Sequence, residues 1–136
     1  MEGCVIELPM PPAAPVRVLM VDDQPVFRDA ARALVDRTSG FEVVGESRDG
    51  PEALRVAEQV DPDMVIVDVR MAGMDGIETA RRLNSDDASR VIVLVSSADV
   101  GQLSALAEES GASALVRKHW LTPQLLRGLW VAHRQR

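Results

Sequence analysis

Three aspartates, a serine and a lysine stand at the ends of predicted β-strands, which is where the binding sites of parallel sheets lie. The residues that follow or end these apolar runs are Asp22 and Asp23 after VRVLMV, Asp68 in MVIVD, Ser96 after VIVLV, and Lys118 after SALVR. In an open parallel sheet, ligands bind at the carboxyl ends of the strands, beside the point where strand order reverses. If the first and third strands are neighbours, three carboxylates meet a hydroxyl and an ammonium group.

Three carboxylates in one pocket repel one another and need a compensating charge. At about 4 Å and an effective dielectric constant near 20, each pair costs on the order of 4 kcal/mol. Proton uptake or a hard divalent cation offsets this cost, and Mg²⁺ suits the site because it takes oxygen ligands and keeps several waters. Lys118 and Ser96 would then donate to a tetrahedral anion. The group predicts a pocket for a phosphoryl group held on or beside a carboxylate, with an aspartate as candidate nucleophile.

Five strand patterns alternate with five helical patterns along the chain. The predicted strands cover 16–21, 41–47, 64–68, 91–95 and 113–117, and the predicted helices cover 25–37, 51–60, 76–83, 100–110 and 122–133. Such alternation favours a parallel sheet with helices on both faces. Asp49 and Asp75, each three residues before a glutamate, and Thr122 are predicted helix N-caps.

Composition limits the function classes. The 136 residues are 46% hydrophobic and 26% charged, which is typical of one globular domain, and we assign 16–134 to it. Residues 1–15 contain four prolines and are predicted to form an extended arm. No apolar run approaches the roughly 20 residues that cross a bilayer, and no signal peptide is evident, so we expect a cytoplasmic protein that binds no membrane. The net charge of −6 argues against nucleic-acid binding by this domain.

Four segments, in this order, resemble the receiver domain of two-component response regulators. They are VLMVDDQPVFRDAARALV, VIVDVRMAGMDGIE, VIVLVSS and GASALVRK. The resemblance spans roughly 16–131 and is closest to the subfamily with LuxR/NarL-type helix-turn-helix outputs, although we find no output domain in this sequence. It implies a doubly wound, flavodoxin-like (βα)5 fold with a five-stranded parallel sheet of order 2-1-3-4-5.

The resemblance also implies a role for each residue of the pocket. Asp68 would accept a phosphoryl group from a sensor histidine kinase, Ser96 would be the switching hydroxyl, and Lys118 would pair with the phosphoryl group. The implied Mg²⁺ shell comprises the carboxylates of Asp23 and Asp68, the Arg70 carbonyl, and Asp22 acting through water. Apart from its own Mg²⁺-dependent phosphorylation and dephosphorylation, such a domain is not expected to be an enzyme.

Two other functions compete with this interpretation. Leu115 stands where receivers usually carry an aromatic residue that responds to the switching hydroxyl, which favours, slightly, a pseudo-receiver that signals by contact without phosphorylation. A haloacid-dehalogenase-type phosphatase also has a nucleophilic aspartate after a buried strand, but it needs a second aspartate two residues later. That position is Arg70 in this chain.

The last helix carries a possible partner surface. At 100° per residue, Leu121, Leu125, Leu129 and Ala132 are predicted to form the core stripe. Leu126 and Trp130 then fall outside it as surface neighbours, with Trp120 a possible addition. Aromatic residues are enriched at interfaces, so the pattern predicts a homodimer or partner contact through Leu126 and Trp130.

Overall fold

Five parallel strands form one sheet. A computed structural model describes residues 14–71, 74–97, 101 and 103–134. The strands are β1 (Val16–Val21), β2 (Phe41–Ser47), β3 (Met64–Asp68), β4 (Val91–Ser96) and β5 (Ala114–Arg117). Their order across the sheet is β2-β1-β3-β4-β5, which confirms the predicted order 2-1-3-4-5. The strand order reverses between β1 and β3, so the edge where these two strands end is the expected binding edge.

In the described part of the chain, four helices connect the strands and a fifth follows β5. They are α1 (Pro25–Asp36), α2 (Gly50–Val60), α3 (Gly76–Asp86), α4 (Ser104–Ser110) and α5 (Pro123–His133), with a 3₁₀ turn over Lys118–Trp120. The three predicted N-caps are confirmed, because the side chains of Asp49, Asp75 and Thr122 accept hydrogen bonds from backbone amides three residues later. The helix predicted over 100–110 begins at Ser104, and residues 98–100 and 102 of that region lie outside the described residues.

Alternate residues of the strands supply two separate cores. Leu19 and Val21 of β1 face a core built with α2, α3 and α4, whereas Val18 and Met20 face a core built with α1 and α5. Both β3 and β4 are buried at every position. A strand covered on both faces loses the polar–apolar alternation, which explains the continuous apolar run in front of Asp68. Among the described helices, none combines the length and the hydropathy needed to cross a bilayer.

The last helix is rotated relative to the prediction. Leu126 is completely buried in the core shared with α1, and Trp130 packs against the same core, so the predicted surface pair Leu126–Trp130 is wrong. The predicted stripe included Leu121, but Leu121 precedes α5 and packs on this core from the segment after the 3₁₀ turn. The observed buried stripe is centred on Leu126 and flanked by Leu129 and Trp130. Ala132, which was assigned to the core, is exposed.

Candidate functional site

The adjacent ends of β1 and β3 bring three carboxylates into one group. Val21 of β1 pairs with Val67 of β3, so the residues that follow, Asp22 and Asp68, lie side by side at the same sheet edge. Asp22, Asp23 and Asp68 each offer a ligand oxygen, and these atoms lie within 4.8 Å of one another. Asp22 and Asp68 are buried while Asp23 is exposed, which leaves the group open to solvent on one side.

Lys118 enters the same pocket from the end of β5. Its Nζ lies 2.7 Å from Oδ2 of Asp22 and 3.6 Å from Oδ1 of Asp68. The Lys118 side chain is 7% exposed, so the ammonium is held among these groups rather than in solvent. The same Nζ lies 3.6 Å from the centroid of the Phe27 ring on α1.

The loop after β1 is fixed by hydrogen bonds at both ends. Oδ1 of Asp22 accepts from the Gln24 amide at 2.9 Å, and the Asp22 carbonyl accepts from the Arg28 guanidinium at 2.6 Å. Arg28 also lies 3.5 Å from Glu46 on β2. Because Arg28 belongs to the first turn of α1, the start of this helix is tied directly to the carboxylate loop.

The environment of Asp68 disfavours its charged form. The pKa of this carboxyl is raised to about 6, mainly by burial, then by the neighbouring Asp22 carboxylate and to a smaller extent by Asp23. Lys118 and the backbone N–H of Arg70 act in the opposite direction. The balance leaves the Asp68 carboxylate only partly neutralised, so a cation bound beside it would favour its charged form.

Gly76 at the start of α3 packs directly on the backbone of Asp68. The Gly76 amide donates to the Val69 carbonyl at 2.9 Å. A β-carbon at this position would lie far inside van der Waals contact with the Asp68 carbonyl oxygen, and 2.8 Å from the α-carbon of Val69. Only glycine permits this approach, which seats α3 against the end of β3.

Ser96 lies at the same sheet edge. It ends β4, is 1% exposed, and pairs across the sheet with Arg117, the residue before Lys118. Asp68 pairs with Val95 on the other side of β4. Leu115 pairs with Leu94 and packs on the core shared by α2, α3 and α4.

A family model for the response regulator receiver domain matches residues 18–129. The chain belongs to this family. The receiver domain is 37% identical over 90 residues to the nitrate/nitrite response regulator protein NarP of Escherichia coli, covering 66% of this chain and 42% of that protein. It is 39% identical over 106 residues to a protein-glutamate methylesterase/protein-glutamine glutaminase of Myxococcus xanthus, covering 77% of this chain and 30% of that protein.

Solved structures of response regulators have the same fold as this chain. A LuxR-family two-component response regulator from Aurantimonas superposes with a TM-score of 0.80 at 31% identity, covering 88% of each chain. The receiver domain of a putative response regulator NarL from Mycobacterium tuberculosis also gives a TM-score of 0.80, at 29% identity, covering 90% of this chain and 98% of that one. The chain spans about half or less of the length of the curated NarP and NarL relatives that it matches.

The acidic pocket of the receiver domain has the chemistry of a hard-cation site. Its donors are all carboxylate oxygens, the ligands that Mg²⁺ prefers, and they come from two strand ends close enough to share one ion. One ligand residue, Asp23, is open to solvent, so a bound ion would retain waters. The residues present therefore fit a divalent cation.

The structure brings together most of the residues singled out from the sequence. The three aspartates and Lys118 meet as predicted, and Ser96 lies at the same edge. The contact of the Phe27 ring with Lys118 was not predicted from the sequence. Phe27 stands in the first helical turn after Asp22–Asp23, but no feature of the sequence predicts that its ring contacts Lys118.

Proposed function

We propose that this receiver domain is a phosphorylation switch in a two-component system. Asp68 accepts a phosphoryl group from the phosphohistidine of a sensor histidine kinase, in a reaction that requires Mg²⁺. The observation that supports this proposal is the convergence of Asp22, Asp23 and Asp68 within 4.8 Å, with Lys118 in contact with two of them. In-line phosphoryl transfer needs positioning and charge neutralisation more than covalent assistance, and this pocket supplies both.

The transfer is a substitution at phosphorus. A carboxylate oxygen of Asp68 forms the new P–O bond while the P–N bond of the phosphohistidine breaks, and the imidazole departs with the bonding electrons. When bound, Mg²⁺ would neutralise charge on the carboxylates and on the transferred group. Its ligands would be Asp23, Asp68 and the Arg70 carbonyl, with Asp22 acting through water.

Phosphorylation changes the charge that Lys118 encounters. A phosphoryl group carries about −1.5 to −2 charges near pH 7, so Asp68 becomes a stronger partner for Lys118 than Asp22 is. Ser96 then donates to the phosphoryl oxygens, and the adjacent strands β4 and β5 transmit the shift outward. Leu115 responds by repacking, since it has no ring to swing between two positions.

The remaining assignments follow from the same function. The domain acts in the cytoplasm, where it meets the kinase, and it catalyses no reaction on an external substrate. We assign residues 16–134 to the receiver and residues 1–15 to a preceding segment, of which only residues 14 and 15 are among those described. A pseudo-receiver that works without phosphorylation is the alternative, but an intact set of carboxylates and lysine does not favour it.

The test is phosphorylation by a small-molecule donor. Acetyl phosphate with Mg²⁺ should add one phosphoryl group to the intact protein, visible by mass spectrometry or phosphate-affinity gel, and chelation of Mg²⁺ should abolish it. Asp68→Asn should remove the product. Asp75→Asn is the matched control, because asparagine caps α3 as well as aspartate does. Persistent labelling of Asp68→Asn, or no labelling of the native protein, would refute the proposal, and the second result would favour the pseudo-receiver.

A further inference from the structure

Lys118 is held by three groups from three different elements. Asp22 comes from the end of β1, Asp68 from the end of β3, and the Phe27 ring from α1. The ring centroid lies 3.6 Å from Nζ, closer than the roughly 6 Å at which an ammonium group begins to feel the ring quadrupole. The ammonium therefore lies against the negative face of the ring.

The first turn of α1 fixes the ring and the carboxylate together. The amides of Phe27 and Arg28 both donate to the Gln24 carbonyl at 3.1 Å, and the Gln24 amide donates to Oδ1 of Asp22. Arg28 then returns a hydrogen bond to the Asp22 carbonyl. One short segment thus sets the distance between the two groups that Lys118 contacts.

The ring and the carboxylates attract the lysine in different ways. The attraction between Lys118 and Asp22 has to be released when Lys118 moves to a phosphoryl oxygen. The ring carries no net charge, so its contact costs little desolvation and does not compete with an anion for the three N–H donors. Cation–π contacts gain strength when they are shielded from water, as Lys118 is at 7% exposure.

We propose that Phe27 is a positioning residue for Lys118: the ring keeps the ammonium in the pocket while Lys118 exchanges Asp22 for a phosphoryl oxygen on Asp68. This inference rests on the proposed phosphorylation of Asp68. It predicts that the aromatic face, rather than apolar bulk alone, is required at residue 27.

Phosphorylation rates of variants at residue 27 distinguish a requirement for the aromatic face from a requirement for apolar bulk. Phe27→Leu keeps an apolar side chain but removes the ring, and we expect phosphorylation by acetyl phosphate at saturating Mg²⁺ to slow roughly three- to tenfold. Phe27→Tyr keeps the aromatic face and should stay within about twofold of the native rate; Phe27 lines a cavity of about 170 Å³. Val26→Ala, at a side chain 75% exposed in the same turn, is the control and should not change the rate.

A double-mutant cycle tests whether Phe27 acts through Lys118. In a Lys118→Met background, Phe27→Leu should cause no further loss, because the charge that the ring positions is gone. Losses that multiply, or a Phe27→Leu rate equal to the native rate, would overturn the inference. Because these results presuppose a phosphorylated native protein, they are distinct from the failure of the proposed function, in which nothing is labelled.

A spectroscopic measurement is independent of phosphorylation. The Lys118 Nζ lies over the Phe27 ring, so the NMR signals of the protons on the adjacent ε-carbon should be shifted upfield by the ring current. Phe27→Leu should abolish this shift and Phe27→Tyr should retain it. Unshifted ε-protons in the native protein would overturn the inference even if Asp68 is phosphorylated.

Discussion

Lys118 forms a shorter ion pair with Asp22, at 2.7 Å, than with Asp68, at 3.6 Å. The carboxylate proposed to accept the phosphoryl group is therefore the less neutralised of the two. Asp68 is buried and only partly neutralised. In the proposed function, a bound cation would supply the missing positive charge, and Lys118 would pair with the phosphoryl group on Asp68. In the proposed switch, this unequal pairing would let Lys118 act as a movable counter-ion rather than as a fixed structural bridge.

Removing that counter-ion should destabilise the fold and impair function. Lys118→Met leaves Asp22 buried without its partner, and we expect the free energy of unfolding to fall by roughly 2–4 kcal/mol. Chemical denaturation measures the loss. Added Mg²⁺ should restore part of it in the variant, because a divalent cation takes over the neutralisation; a variant as stable as the native protein without Mg²⁺ would contradict the buried ion pair.

Stability should depend on pH through Asp68. Its pKa is raised from the ordinary 3.8 to about 6, so the folded state binds a proton more tightly than the unfolded state. Ionised Asp68 therefore destabilises the folded state. This destabilisation is absent below pH 3.8, grows as the pH rises from 3.8 to about 6, and is fully present above about pH 6. Asp68→Asn should therefore stabilise the protein above pH 6, on the order of 1–2 kcal/mol after allowance for solvent screening.

The pH dependence of the difference in unfolding free energy between Asp68→Asn and the native protein tests this prediction. Native protein and Asp68→Asn are to be denatured side by side at a series of pH values, so that shifts at other carboxylates cancel. The gain should shrink as pH is lowered from 6 towards 3.8. A gain that does not vary with pH would show that ionisation of Asp68 is not its cause.

Gly76 should tolerate no side chain. Gly76→Ala drives a β-carbon into the Asp68 carbonyl and the Val69 backbone, neither of which has a flexible end to move, so we expect a loss of about 1–3 kcal/mol and weaker Mg²⁺ binding. Gly128→Ala is the control, because a β-carbon there meets nothing within 4 Å and alanine favours the interior of α5. This second variant should gain roughly 0.5–1 kcal/mol.

The last helix offers a test of the core. Leu126→Ala removes a side chain that is 0% exposed and should cost about 2–5 kcal/mol in thermal or chemical denaturation. Val131→Ala, at a side chain 64% exposed on the same helix, should change stability by less than about 0.5 kcal/mol. Equal losses from the two variants would contradict the observed rotation of α5.

The sheet, and the aspartates at the carboxyl ends of β1 and β3, could be predicted because the sequence signals for them are local. Apolar runs mark the buried strands, caps such as Asp75 and Thr122 mark helix starts, and strand ends carry the charged residues. Once strand order was given by resemblance, the meeting of Asp22 with Asp68 followed from parallel pairing alone.

The rotation of α5 and the contact made by Phe27 could not be predicted from local sequence signals. The predicted core face of α5 included Leu121, which precedes the helix, and Ala132, which is exposed, and it left out Leu126, because the sequence does not show which face of the helix packs on the sheet. The contact between Phe27 and Lys118 joins residues far apart in sequence, whose approach depends on how α1 packs beside the end of β5. Neither residue type nor spacing reveals such a contact before the elements are assembled.

Chemical trapping of the acyl phosphate tests the phosphorylation of Asp68 most directly. Borohydride reduces an aspartyl phosphate to homoserine, which peptide mass spectrometry locates to a single residue. After treatment with acetyl phosphate and Mg²⁺, we predict homoserine in place of Asp68 and unmodified Asp22 and Asp23, with no homoserine when Mg²⁺ is chelated. Homoserine in place of Asp22 or Asp23, or an intact Asp68 in protein that has incorporated phosphate, would contradict the assignment of Asp68 as phosphoacceptor.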